Sequence, residues 1–310
     1  MREALIFVLL VVAQAGCSGD AATRDRASDA AGIHVLDDTG HPVVLRAPAR
    51  RVVSLVPAVT EIIFALDRGD RLVGRTRYGT HPPSALAVPS VGDGIRPDPE
   101  RILARRPDLV ILFAGPDNES SLARLRELAL TVLAVEHSDL ADLHRNIRRL
   151  GLLLGAVPTA DSLWSAIEDR LDEVGREARG GGPPVPVYYD LGGEPPYTIG
   201  GGSYIDSLLT LAGGRNVFGD VAAPSPLVNL ESIVARHPAC IIVGTRADPS
   251  SAAAVLRDRP GWSAVPAVSA GRVFGVDAEL IDRLGPRLGA AAAALRDAVD
   301  RCRSVEGGRR

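Results

Sequence analysis

Lysine is absent from this 310-residue chain, so all 35 of its basic side chains are arginines. That bias reflects genome composition and assigns no function. Aromatic residues are scarce, 4% of the chain with two Trp, so platforms for stacking bases or sugars are few. Positive charge is not in excess: the formal net charge is -3, which excludes the basic surface that non-specific nucleic-acid binding requires. The three cysteines form no C-x-x-C pair, which excludes a thiolate zinc or redox motif. None of the six His stands at metal-ligand spacing, and no G-x-S-x-G, Walker or H-E-x-x-H motif occurs. No enzyme class is indicated, and no cofactor or direct metal site is expected. What is present is a globular balance, 46% hydrophobic and 24% charged, in a length that suits about two domains. The 32 Gly and 23 Pro fit many short strand–helix connections.

Residues 1–17, MREALIFVLLVVAQAGC, read as a secretory signal: one Arg, an apolar run, then small residues, too short for a membrane span of about 20 residues. Two processing sites compete. Ala13-Gln14-Ala15 fits ordinary cleavage, and Ala15-Gly16-Cys17 resembles a lipobox that would make Cys17 the lipidated N-terminus. The polar stretch over 18–32 suits a flexible tether and favours the second. Cys240 lies in an apolar run and Cys302 in a polar tail, so one buried and one exposed thiol are expected rather than a bridge.

From residue 50 the pattern alternates. RRVVSLV, RLVGRT, DLVILFA and TVLAVE read as buried strands, with AVTEIIFAL, DPERILARR and SSLARLRELA as helices between them. Continuously apolar strands separated by helices indicate parallel α/β layering. Residues 140–180 read as helical over most of their length, with Pro158 making two helices or one kinked helix. Alternation restarts with VPVYYDL and runs to PRLGAAAAALRDAVDRC. DPERILARRPDLVILFAG and NLESIVARHPACIIVGTR look like one unit used twice. The organisation is therefore an N-terminal α/β lobe over 33–139, a linking region over 140–180 and a C-terminal α/β lobe over 184–303.

With RVVSLVPAVTEIIFAL (51–66), RLVGRTRYGTHPP (71–83), PSVGDGIRPDPERILARRPDLVIL (89–112), PPYTIGGGSYIDSLLTLAGGRNVF (195–218), NLESIVARHPACIIV (229–243) and GWSAVPAVSAGRVFGVD (261–277), the chain resembles the helical-backbone (class III) periplasmic substrate-binding proteins of ABC importers. That family serves cobalamin, ferric siderophores and haem. RYGTHPP, GEPPYTIGGGS and LGPR look most like its cobalamin-binding branch. The resemblance implies two Rossmann-like lobes with parallel sheets, joined by one long rigid helix, with the ligand in the cleft between them. It implies a corrinoid as ligand, with a ferric siderophore or haem as the alternative, and a non-transport ligand sensor as the other class of function. The implied partners are the permease and ATPase subunits, and a membrane through the lipid anchor.

Residue by residue, the resemblance places Tyr78, Phe113 and Tyr197 against the ligand. Arg77, Arg96 and Arg283 stand at cleft-edge places where they would meet an anionic ligand. Glu100 and Glu231, one in each repeat of the unit, would dock into arginines of the permease. His81 is the His placed as an axial haem ligand. Where the cobalamin branch carries cleft Trp, this chain has Gly94, Ser225 and Leu280, while Trp164 and Trp262 read as packing residues.

Overall fold

The computed structural model describes residues 32–307. The signal segment, Cys17 and the tether up to residue 31 lie outside the described residues. A hairpin comes first, β1 (Ile33–Leu36) and β2 (Pro42–Leu45), antiparallel with Ile33 opposite Leu45. Sequence reading missed it, because its four-residue strands are half-exposed and carry little apolar signal. Two aspartates at its turn fasten it. Asp37 meets Arg126 at 2.6 Å, and Asp38 meets Arg145 at 2.9 Å and Arg149 at 2.7 Å.

The N-terminal lobe follows as β3 (Val52–Ser54), α1 (Pro57–Ala65), β4 (Leu72–Arg75), α2 (Pro99–Ala104), β5 (Leu109–Phe113), α3 (Glu119–Glu127) and β6 (Val132–Val135). Its four strands are parallel in the order β4-β3-β5-β6. β3 and β6 are buried along their whole length, as expected for a sheet covered by helices on both faces.

The linking region is two helices, α4 (Leu140–Leu153) and α5 (Val157–Arg179). The break falls at Leu154–Ala156, just before Pro158. Pro158 sits in the first turn of α5, where its missing N–H has no partner to lose. α4 packs on β1 and α1, so it belongs with the N-terminal lobe, and α5 alone reaches the other side.

The C-terminal lobe runs β7 (Val185–Gly192), β8 (Tyr197–Thr198), α6 (Tyr204–Leu211), β9 (Gly214–Asn216), α7 (Leu230–Ala235), β10 (Cys240–Thr245), α8 (Ala252–Asp258), β11 (Val273–Asp277), and the C-terminal helix α9 (Leu288–Gly307), which packs on α5. Its sheet is ordered β11-β10-β7-β8 with β9 on β7, and only β8 is antiparallel. The repeated unit is structural. Asp98 and Asn229 cap α2 and α7, and Arg106 and His237 close them in the left-handed conformation (φ 46° and 48°) ahead of Pro107 and Pro238.

Cys240 and Cys302 are bonded, which corrects the expectation of two free thiols. The polar tail is the last turns of α9, whose apolar face turns Cys302 inward to 1% exposure beside the equally buried Cys240 of β10. The bridge closes a 62-residue separation, which on the chain-entropy account stabilises by about 2–4 kcal/mol. Replacing both cysteines by alanine is expected to lower the urea midpoint accordingly, and reductant should leave that variant unchanged while shifting the parent.

Candidate functional site

The strands of both lobes end facing a common cleft, and a cavity of about 660 Å³ lies there. The N-terminal lobe contributes Val56–Ala58 after β3, Tyr78 after β4 and His137 after β6. The C-terminal lobe contributes Arg246 after β10, and Ala278, Glu279, Asp282 and Arg283 after β11. Carboxyl ends of parallel strands are where open α/β sheets place ligands, since the connections diverge there and leave a crevice. A smaller depression of about 290 Å³ shares Val56, Pro57 and Tyr78 and extends over Ile95 and Phe113 of the N-terminal lobe. Its floor includes Gly94, where a Cβ would stand 2.4 Å from the Leu55 carbonyl oxygen. That contact explains why no aromatic occupies the place.

Of the sequence-predicted residues, Tyr78 lines both spaces and is 54% exposed, Phe113 lines the smaller, and Arg283 lines the larger. Arg96 and Tyr197 are not brought to either. Arg96 is exposed on the loop after Asp93, to which its backbone N–H donates at 2.7 Å. Tyr197 opens β8 opposite Gly192, at the carboxyl end of β7, but its side chain lines neither space. Arg77 is held at the rim by Asp93 at 3.0 Å, with its guanidinium 5.0 Å from the Tyr78 ring centre. His81 is half-buried and lines neither space. Trp164 stacks on His144 at 4.3 Å, and Trp262 is buried against Tyr188.

Sequence reasoning missed His137 and the group Arg246, Glu279 and Asp282. Their signal was available: each follows the carboxyl end of a strand. Burial pushes the His137 imidazole down to about 4, so it is neutral at physiological pH, and its Nδ1 has no partner among the described residues. Burial raises Asp282 to about 6, with Arg246 opposing the shift from 3.9 Å. Glu279 pairs with Arg246 at 3.0 Å and with Arg283. The polar wall of the cleft thus neutralises itself.

Arg283 is less free than its sequence position implies. Its Nη1 meets Glu61 of α1 at 3.1 Å and its Nη2 donates to the Tyr78 carbonyl at 3.1 Å. Arg287 meets the same Glu61 through Nε at 2.8 Å and Nη2 at 2.9 Å. Glu61 is 2% exposed, so a buried carboxylate of one lobe is held by two arginines of the other, one of which, Arg283, lines the cavity.

Glu100 and Glu231 lie outside the cleft. Each is exposed in the first turn of its helix, and neither makes an ion pair among the described residues.

Residues 52–280 match the periplasmic binding protein family. The chain belongs to that family. The resemblance read from the motifs and the two-lobed α/β fold are both borne out. The binding protein is 28% identical over 291 residues to YvrC of Bacillus subtilis, an uncharacterized ABC transporter substrate-binding lipoprotein, covering 91% of each chain. Two solved structures share the fold at a TM-score of 0.71 and 27% identity. One is the periplasmic vitamin B12 binding protein BtuF of Vibrio cholerae, covering 83% of this chain and 98% of that one. The other is the periplasmic heme-binding protein RhuT of Roseiflexus sp. RS-1, covering 81% and 99%.

Proposed function

We propose that this substrate-binding protein captures a corrinoid between its lobes outside the cytoplasmic membrane and delivers it to an ABC permease, with Cys17 as lipid anchor and Glu100 and Glu231 as docking points. The observation that carries the reading is the 660 Å³ cavity, whose acidic and arginine wall residues, Arg246, Glu279, Asp282 and Arg283, are tied to one another. A wall that balances its own charge suits a large ligand with a neutral, amide-bearing periphery better than a polyanionic chelate, which would need unpaired donors. Similarity to vitamin B12-binding proteins supports the same choice. Similarity to a lipoprotein supports the anchor. No catalytic step is assigned to this chain, because transport energy comes from the ATPase partner.

A second reading, haem, is favoured by one observation: the neutral His137 with its free Nδ1 beside the cavity. Calorimetry of the mature protein against cyanocobalamin, haemin and ferric siderophores separates the readings. Cyanocobalamin is expected to bind, and Tyr78→Ala to weaken it about 10-fold through loss of the ring contact. Haemin binding with a Soret shift that His137→Ala removes, and no response to cyanocobalamin, would establish the second reading instead.

A further inference from the structure

The amino ends of the N-terminal sheet, opposite the cleft, gather arginines that form no ion pair among the described residues. Three segments meet there: 46–51 before β3, 67–71 before β4 and 105–108 before β5. They carry seven arginines and three aspartates in a chain whose net charge is -3. The segments are stitched together through backbone carbonyls. Arg51 donates to the carbonyls of Arg105 (Nη2, 2.5 Å) and Arg106 (Nε, 2.9 Å). Arg71 donates to Ala49 at 2.7 Å and to Leu154 at 2.9 Å, and Arg68 reaches the same Leu154 carbonyl at 3.3 Å. Carbonyl acceptors orient a guanidinium without cancelling its charge. None of these arginines forms an ion pair among the described residues, whereas those of the cleft, the hairpin and α9 do. Asp108 is occupied by the backbone N–H groups of Arg50 and Arg51 at 2.8 and 3.0 Å. The Nε of Arg105 is buried without a partner.

The repeated unit supplies an internal comparison. At the place of Arg105, the C-terminal lobe has Arg236, and that arginine is paired through both Nη atoms with Asp220, at 2.6 and 3.0 Å. The same structural unit is thus neutralised in one lobe and left positive in the other. The positive copy is also where the chain's N-terminal segment enters the fold. Ile33 pairs with Leu45, so the described chain begins beside Arg46. Fourteen residues separate Cys17 from Gly32, and fully extended they span at most about 50 Å.

We propose that this arginine-bearing end of the N-terminal lobe is a membrane-contact face that settles on anionic phospholipid headgroups. A positive face meeting a negative leaflet gains about a five-fold factor in binding for each basic residue near the surface. No described helix is long and apolar enough to cross a membrane, so the contact is with headgroups alone. With that face down, the cleft at the opposite ends of the strands opens away from the bilayer, so this is the stance of the protein between deliveries, and docking on the permease requires it to leave the headgroups.

All described elements lie within 32–307, so the chain from Ser18 onward keeps the whole fold and has neither signal segment nor lipid. It is to be sedimented with vesicles of phosphatidylcholine, pure or with about one-third phosphatidylglycerol. Binding is expected only to the anionic vesicles, and release at about 0.5 M salt, where the Debye length is about 4 Å. Arg46, Arg50 and Arg106 are exposed and their guanidiniums make no hydrogen bond among the described residues, so R46Q/R50Q/R106Q should melt with the parent and bind about 100-fold more weakly. A control, R176Q/R215Q/R257Q, removes three exposed arginines elsewhere and should bind within two-fold of the parent, about the scatter of such assays. Binding to neutral vesicles as strongly as to anionic ones, equal losses in both triple variants, or no binding at low salt would overturn the proposal. None of these measurements involves the transported ligand or the permease.

Discussion

Reversal of Glu100 and Glu231 to arginine together is expected to abolish permease-dependent uptake while leaving ligand affinity in the isolated protein unchanged. Both carboxylates stand in the first turn of matching helices, one on each lobe, exposed and free of ion pairs among the described residues. A helix dipole alone would stabilise such a residue by about 0.3–1 kcal/mol, which explains either glutamate but not the survival of both in two diverged copies of the unit. Across an interface, each would form charge-assisted hydrogen bonds with a permease arginine and speed encounter. Two reversals replace attraction with repulsion at both points, so uptake in a reconstituted system should fall by orders of magnitude. Folding should change by no more than about 0.5 kcal/mol, since nothing inside the protein leans on either side chain. Normal uptake by the double variant, or lost ligand binding in the isolated protein, would show that the glutamates serve something else.

Glu61→Ala is expected to cost about 3–5 kcal/mol of stability, the usual result of stranding buried charge. Glu61 accepts three hydrogen bonds across the lobe boundary from Arg283 and Arg287, and those side chains are only 13% and 24% exposed. Without the carboxylate they keep their desolvation penalty and lose the partner that offset it. Arg283 also fixes the Tyr78 carbonyl, so the same change should loosen the ring that lines both cavities. Denaturant unfolding measures the first effect, and ligand titration of the folded variant the second. The three-fold change Glu61→Leu, Arg283→Leu, Arg287→Met removes all the charges together and should recover much of the stability, because an apolar replacement of a whole buried ionic group is often neutral. A Glu61→Ala protein as stable as the parent would mean that the three side chains share no tightly coupled charge.

The layering was legible because parallel strands covered on both faces must be largely apolar: β5 and β6 are so throughout, and β3, β7 and β10 are interrupted only near their carboxyl ends, by Ser54, Asp190 and Thr245. The hairpin was not, since it is held by aspartate–arginine pairs between residues about a hundred positions apart, which no local pattern displays. The disulfide was hidden similarly: Cys302 looked exposed because α9 has polar residues all around its buried stripe. In the cleft, the resemblance named Tyr78, Phe113 and Arg283, which line the two spaces, but no motif marked His137 after β6 or Arg246 after β10. Tyr197 stands beside Gly192 at the carboxyl end of β7 and yet lines neither cavity, which only side-chain placement shows. The repeated unit was visible in sequence, while the charge difference between its copies depends on Asp220, which lies outside the repeated unit.

The Cys240–Cys302 bond turns the second half of the C-terminal lobe into a covalent ring that takes in β10, α8, β11 and most of α9. A single cut anywhere on the exposed turns within that ring, such as Pro260–Gly261, leaves both fragments attached. The termini of the ring are anchored in the middle of the sheet and in the helix that packs on α5, so neither fragment can drift from its neighbours. Proteolytic wear in this half of the lobe would therefore stay invisible on a non-reducing gel, and the nicked protein would keep its shape until a reductant released the piece.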